Sequence, residues 1–367
     1  MKNKSKKIII RLFVSVMCLV LVFTLPKIGI YANGDIAQFY SIFVGEKSEY
    51  SGVIEIWNID SFESGLSSKS SFLEKVAKDF QKRNKGIYVL VRNITEGECK
   101  YLLESGYKPS LISCSYGVVN GLKQYICSYN SDLNFEIFDN LSSAGRDKDG
   151  LLYGLAWCMG YYCLISTESK IGKTESDGTQ SLNEIAYSSN YEYKVGKKSF
   201  ESKSLVYGRS EYLMPKNAVF AYNKARSIQT MPQNFIALKS QYSAYSTFLS
   251  NGATILLGTQ MDICRMENRV KQGKVSGVIY KPLTAWTDLI QFMFLIQNEN
   301  ELEKKYAEKF SEFLVSSSIQ ERVEKMGMFP VVAGLKSENK GVMLDIIHEN
   351  NGDCEVFNVF ENPIEFE

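Results

Sequence analysis

Histidine is almost missing from this chain of 367 residues, His348 being its one imidazole. That leaves little room for His-based nucleophilic triads, multi-histidine metal sites or paired histidine acid–base chemistry. Net charge is scarce as well: the formal +1 gives no strongly basic face for nucleic acid. No C-x-x-C pair occurs, and the chain is far longer than the small secreted scaffolds that rest on disulfides. No phosphate loop or nucleotide fingerprint is present, since GLLYGLAW (150–157) lacks both the glycine spacing and a following Lys-Ser/Thr. No metal site and no cofactor are expected, and His348 reads as a surface residue.

What is present is ordinary globular material. Hydrophobic residues make up 45% and charged residues 23%, which excludes disorder, collagen and coiled coil as the main state. The 22 Tyr, 21 Phe and 3 Trp are enough to line a site as well as cores. A chain of this length divides into about two domains once a leader is set aside.

Residues 1–34 carry Lys2, Lys4, Lys6, Lys7, Arg11 and Lys27 and no acid, so the rest of the chain has 36 basic against 41 acidic side chains, a net −5. Leu12 to Leu25 runs 14 residues without a charge. A basic start, an apolar run of that length and Ala32 at a cut point describe a secretory signal. With Ile8, Ile9 and Ile10 the run approaches the ~20 residues of a membrane anchor, so residues 1–34 are a cleaved signal or a retained anchor. Either way the body is extracytoplasmic. Cys18 lies inside the apolar run, too early for a lipoprotein anchor. The seven remaining cysteines read mainly as small buried hydrophobes, with room for one bridge.

Along the body, Val53–Trp57 is a short strand. Phe72, Leu73, Val76, Ala77 and Phe80 fall at helical spacing, with Lys82 and Arg83 in the last turn and Gly86 as a stop, and Ile87–Val91 is the next strand. This strand–helix–strand unit predicts a parallel sheet. Leu111–Ser113 is a shorter strand, and Leu155–Ile165 is an apolar, aromatic segment. Ser181 and Glu184 can form a capping box for a helix from Leu182. Residues 188–217 read as irregular. A helix ends at Gly252 and Ala253–Leu257 is a buried strand. Thr287 or Asp288 is expected to cap a helix from Leu289 to Gln297. Tyr306, Phe310, Phe313 and Leu314 carry a long helix, and Ile319, Val323 and Met326 another, stopped at Gly327. The alternation means α/β.

Six blocks, in order along the chain, carry a resemblance. FLSNGATILLGTQMDICRMENR (248–269) resembles a signature of the extracellular solute-binding proteins of carbohydrate ABC importers, the maltose-binding-protein-like family. GVIEIWNIDSFESG (52–65) resembles that family's opening strand and loop, and FQKRNKGIYVLV (80–91) its next helix end and strand. GLAWCMGYYCLI (154–165) resembles its crossover. WTDLIQFMFLI (286–296) and FSEFLVSSSIQERVEKMGMFPV (310–331) resemble the return to the first lobe and the C-terminal helices. The resemblance implies a two-lobed α/β, type II periplasmic-binding-protein-like fold with a hinge and an inter-lobe cleft. Residues 35–155 plus 282–328 are expected to form lobe 1, and 156–281 plus 329–367 lobe 2.

Such a protein closes on its solute by hinge motion, with the cleft beyond strand carboxyl ends. Aromatic faces and planar polar groups would hold a sugar. The positions this implies are Trp57, Asp60, Phe62, Trp157, Tyr161, Gln260, Asp262 and Trp286, with Arg265 a structural partner of Asp262 and no catalytic residue. The sequence departs from the family where Pro109-Ser110 replaces Pro-Asp, Gly160-Tyr161 replaces Gly-Gly and Gln260-Met261-Asp262 replaces Gln-Arg-Asp. Losing one hydroxyl-binding carboxylate costs roughly 1–3 kcal/mol. The expected function is capture of an oligosaccharide or related small solute for ABC permease membrane subunits. The alternative is a membrane-anchored sensor or interaction protein with a degenerate cleft. An exported hydrolase with a carboxylate pair needs no histidine, but no block resembles one, so the chain is not expected to be an enzyme. A monomer with no nucleic-acid partner is expected.

Overall fold

The computed structural model describes residues 49–131, 133, 135–171, 191–195, 198–202, 205–210, 212–225, 235–335 and 352–360. The leader, the Ser181 cap and His348 lie outside the described residues.

The chain enters through β1 (Gly52–Asn58), α1 (Lys69–Arg83) and β2 (Ile87–Asn93). Ser68 caps α1, its Oγ accepting from Ser71 N at 3.1 Å, and Phe72, Leu73, Val76, Ala77 and Phe80 face the core. Gly86, with φ at 89°, supplies the left-handed turn into β2. β1 and β2 pair in parallel from Gly52↔Ile87 to Asn58↔Asn93, as the strand–helix–strand spacing predicts. α2 (Glu96–Glu104), β3 (Leu111–Ser115), α3 (Tyr116–Val119), β4 (Ile126–Cys127), α4 (Asp139–Ala144) and β5 (Gly154–Met159) complete this passage.

The chain then crosses. β6 (Tyr162–Thr167), α5 (Glu168–Ile171), the hairpin β7 (Tyr191–Val195) with β8 (Lys198–Ser202), β9 (Leu205–Gly208), α6 (Pro215–Ala225), β10 (Phe235–Leu238), α7 (Gln241–Leu249), β11 (Ile255–Thr259), α8 (Gln260–Lys271) and β12 (Val278–Leu283) follow. It returns through β13 (Trp286–Thr287) to β14 (Ile290–Ile296), α9 (Glu301–Leu314), α10 (Ser317–Gln320) and finally β15 (Glu355–Val356).

Two main sheets result. The first has the order β2-β1-β3-β14-β4, with β5 also on β14; the second has the order β10-β9-β11-β6-β12. One apolar core covers both faces of the first sheet and continues to one face of the second, while Ile165, Val206, Phe248, Leu256, Ile263 and Met266 form a separate core under α7 and α8.

Two expectations are corrected. The helix expected over 289–297 is the strand β14, at the centre of the first sheet between β3 and β5. All seven of its residues are buried, so it is apolar on both faces and shows no alternation, a pattern a buried helix shares. Asp288 therefore caps no helix. The irregular stretch 188–217 holds β7, β8, β9 and the start of α6. Residue 155 lies inside β5, so the first crossing follows Met159, and residues 352–360 pack on the first body, with Asn358 Nδ2 donating to Ser143 O and Arg146 O and Val359 N to Ala144 O. The seven described cysteines, Cys99 to Cys354, are all free thiols and mostly buried.

Candidate binding site

Parallel strands β1 and β3 end side by side, and their terminal residues are polar. Asn58 Nδ2 donates to Asn93 Oδ1 at 2.8 Å, and Ser113 Oγ to Asn58 Oδ1 at 3.1 Å. Gln291 of β14 reaches in from the next strand, its Nε2 3.0 Å from Ser113 Oγ and 3.2 Å from Ile59 O. Trp157 of β5 donates through Nε1 to Ser113 Oγ at 3.2 Å and stacks on Phe72. Ser61 and Ser115 share a short hydroxyl contact. Asn58, Ser113, Ser115, Trp157 and Gln291 are buried, and most of the polarity that could have faced a solute is spent within the protein, Gln291 Oε1 alone among them having no hydrogen-bond partner.

Beyond β1, residues 60–69 bound a groove of about 480 Å³ lined by Asp60, Ser61, Glu63, Ser64, Ser67 and Lys69, among others. Lys69, at the first turn of α1, is 1% exposed. Its ammonium lies 3.1 Å from Asp60 Oδ1, donates to Phe62 O and sits 4.0 Å from the centroid of the Phe62 ring. A buried charge needs such a partner, and here the partner is a carboxylate that opens onto the groove.

Of the eight positions singled out in the sequence, only Asp60 is exposed; the other seven are buried. Trp57 stacks on Tyr107 and donates to Glu55 Oε1 at 2.9 Å. Phe62 lies under Lys69. Tyr161 packs on Phe329 at the first crossing, its backbone N donating to Gln260 Oε1 at 3.1 Å. Asp262 closes a capping box on α8 and also accepts from Gln241 Nε2 at 2.7 Å. Burial pushes its carboxyl above the usual range, against the pull of Gln241, Thr259 and Arg265. Trp286 stacks on Tyr162 and meets Phe357 edge-on. Asp288 accepts from Tyr162 Oη at 2.7 Å and Met214 N at 2.6 Å, and burial raises it to about 6. The structure thus brings Asp60 and Phe62 together, and separately Tyr161 with Gln260; it does not gather the three tryptophans on one surface.

Sequence reasoning missed Lys69, Glu63, Asn58, Ser113 and Gln291. One signal was available for Gln291, the single polar residue inside the apolar run IQFMFLI. Among the described residues no cluster of three or more His, Cys, Asp or Glu could hold a metal ion, and no helix is long and apolar enough to cross a membrane.

No protein-family model matches the sequence, and no curated protein does. Solved structures do match in shape. The GacH receptor of Streptomyces glaucescens GLA.O, studied unliganded and with acarbose, is 12% identical with a TM-score of 0.58, over 85% of this chain and 89% of that one. The sugar-binding protein MalE from the phytopathogen Xanthomonas citri is 13% identical with a TM-score of 0.55, over 83% and 86%. A cyclo/maltodextrin-binding protein complexed with maltotetraose is 14% identical with a TM-score of 0.53, over 86% and 88%. With two sheets joined by two crossings and this likeness over most of its length, the chain has the two-lobed α/β fold of the periplasmic solute-binding proteins.

Proposed function

We propose that this protein is an extracytoplasmic solute-binding component that captures a small hydroxyl-rich molecule and presents it to ABC permease subunits. The observation that carries the reading is the groove past the end of β1, where Asp60 is held by buried Lys69 among serine hydroxyls. A carboxylate fixed by a cation accepts hydrogen bonds from solute hydroxyls without rearranging, the kind of convergent polar group that orients a ligand. Thermal-shift measurement against a panel of oligosaccharides and peptides tests it. Stabilisation by at least one solute, lost in Asp60→Ala, is expected; a flat response over the whole panel overturns it.

A second reading has its own observation. Trp57, Trp157 and Trp286 are buried against Tyr107, Phe72 and Tyr162, so their ring faces are already spent on the protein's own side chains. That arrangement favours a tethered sensor or interaction protein that keeps the fold without the solute. Under this reading the leader stays uncleaved, and N-terminal sequencing of the exported protein that begins at Asn33 counts against it.

A further inference from the structure

Residues 352–360 lie in a groove formed by the first body and the return crossing. Among the described residues β15 is the one strand paired with β13, in parallel across Trp286↔Glu355 and Thr287↔Val356. Glu355 N donates to Ala285 O at 2.9 Å, and Asn140 Nδ2 of α4 donates to Cys354 O at 2.8 Å. Phe357 stacks on Tyr116 of α3 with centroids 5.7 Å apart and meets Trp286 edge-on at 5.4 Å. Asn358 Nδ2 spans two carbonyls, Ser143 O at 3.0 Å and Arg146 O at 2.7 Å, while Val359 N donates to Ala144 O at 2.8 Å. Phe360 meets Tyr153 edge-on at 5.2 Å. Cys354 and Val359 are buried, and Phe357 and Phe360 are half-buried.

We propose that this groove is a peptide-binding site, which the chain fills in cis with its own residues 352–360 and for which an extended peptide of the type aromatic–Asn–apolar–aromatic competes. The mode is strand addition: backbone bonds to β13 and to the end of α4 hold the peptide, and pockets for its side chains select it. Three observations separate the segment from the fold beneath it. Neither main sheet includes β15, so neither loses a strand when the segment lifts. Its fully buried anchors, Cys354 and Val359, are short, so opening exposes little apolar surface and belongs to the local class. Without β15, β13 has no strand beside it among the described residues, an open edge of the kind that accepts another chain. The site is distinct from the Asp60 groove and stands whether or not a solute binds there.

Fluorescence anisotropy on the full chain tests it, with a labelled synthetic peptide of residues 352–360 carrying Cys354→Ser so that no disulfide forms. Phe357→Ala combined with Phe360→Ala in the protein weakens the segment's own docking. This variant is expected to bind the peptide about tenfold more tightly than the wild type, whose segment competes at high effective concentration. It is expected to bind a peptide bearing the same two alanines about tenfold more weakly. A variant with wild-type circular dichroism that binds neither peptide, binds both alike, or binds no better than the wild type overturns the proposal. If the variant does not fold, hydrogen–deuterium exchange mass spectrometry on the wild type decides. Excess unlabelled peptide is expected to speed exchange of the chain's own 352–360 about tenfold while β14 is unchanged, because the peptide captures the lifted state. Unchanged exchange of 352–360, or exchange only together with β14, overturns the site.

Discussion

Two buried lysines, one in each body, sit in nearly the same cradle and serve different ends. Lys69 at the start of α1 and Lys170 in α5 each lie over a phenylalanine ring, Phe62 at 4.0 Å and Phe248 at 3.7 Å, and each donates to backbone carbonyls. Lys69 spends its charge on Asp60, whose carboxylate reaches the groove. Lys170 is aimed at Phe248 O and Ala253 O, both at 2.6 Å, and so staples the end of α7 to the start of β11. Burial lowers the Lys170 ammonium to about 7, so near neutrality it carries the proton only part of the time. The comparison teaches that a buried cation becomes a candidate binding element when its partner opens outward, and a structural staple when its partners are the chain itself.

The largest expected effect tests the staple. Lys170→Met leaves two carbonyls without their donor, at about 1–3 kcal/mol each, seen as a lower urea midpoint at pH 9. In the wild type, an unfolded lysine stays protonated up to about 10.5 while the folded one releases its proton near 7. The unfolded state therefore binds more protons between those values, and stability rises with pH by at most about 1.4 kcal/mol per unit. Lys170→Met is expected to remove that slope; a slope that persists assigns it to another group.

The joint between the bodies gives the opposite sign. Asp288 is raised from 3.8 to about 6 by burial, so the folded state holds the proton where the unfolded state has lost it. Its contribution is fully present below about pH 4 and is lost as pH rises through about 6, a change of about 3 kcal/mol. Asp288→Asn should flatten the stability profile over that window, although the amide keeps only one of the two acceptor oxygens that serve Tyr162 and Met214.

Lys69→Met is expected to cost about 1–3 kcal/mol, less than the staple, because Asp60 can turn to water. Its sharper readout is loss of any solute-induced thermal shift while the fold persists by circular dichroism. Glu63→Gln should change global stability by under about 1 kcal/mol, within the range of exposed pairs.

Local order was legible where one face is buried and the other wet. The β1–α1–β2 unit and α9 follow their apolar spacing, and the apolar segment before Gly258 is the strand β11. Position within a sheet was not. β14 has no wet face, so its sequence lacks the period that separates strand from helix. The site was harder still. Trp57 lies one residue from the end of β1 and Trp157 near the end of β5, at the right end of each strand for a cleft. Which side of a ring stays open depends on Tyr107 and Phe72, which arrive from other elements. In the sequence Lys69 stands among Ser67, Ser68, Ser70 and Ser71, and nothing local shows that a helix terminus will bury it.

The passage of β14 into the middle of the first sheet has a consequence for how the protein is made. β3 pairs with β14 across Ile112↔Phe294, so a strand laid down early waits for one produced after the entire second body. The second sheet, from β6 to β12, is contiguous in the chain and can assemble first. Emerging N-terminus first, the chain holds β1, β2 and β3 with an open apolar edge until Ile290–Ile296 arrives, a long-range closure of the kind that slows folding and exposes strand edges to association. The interlacing that brings the two bodies together also makes the first-made half the last to be finished.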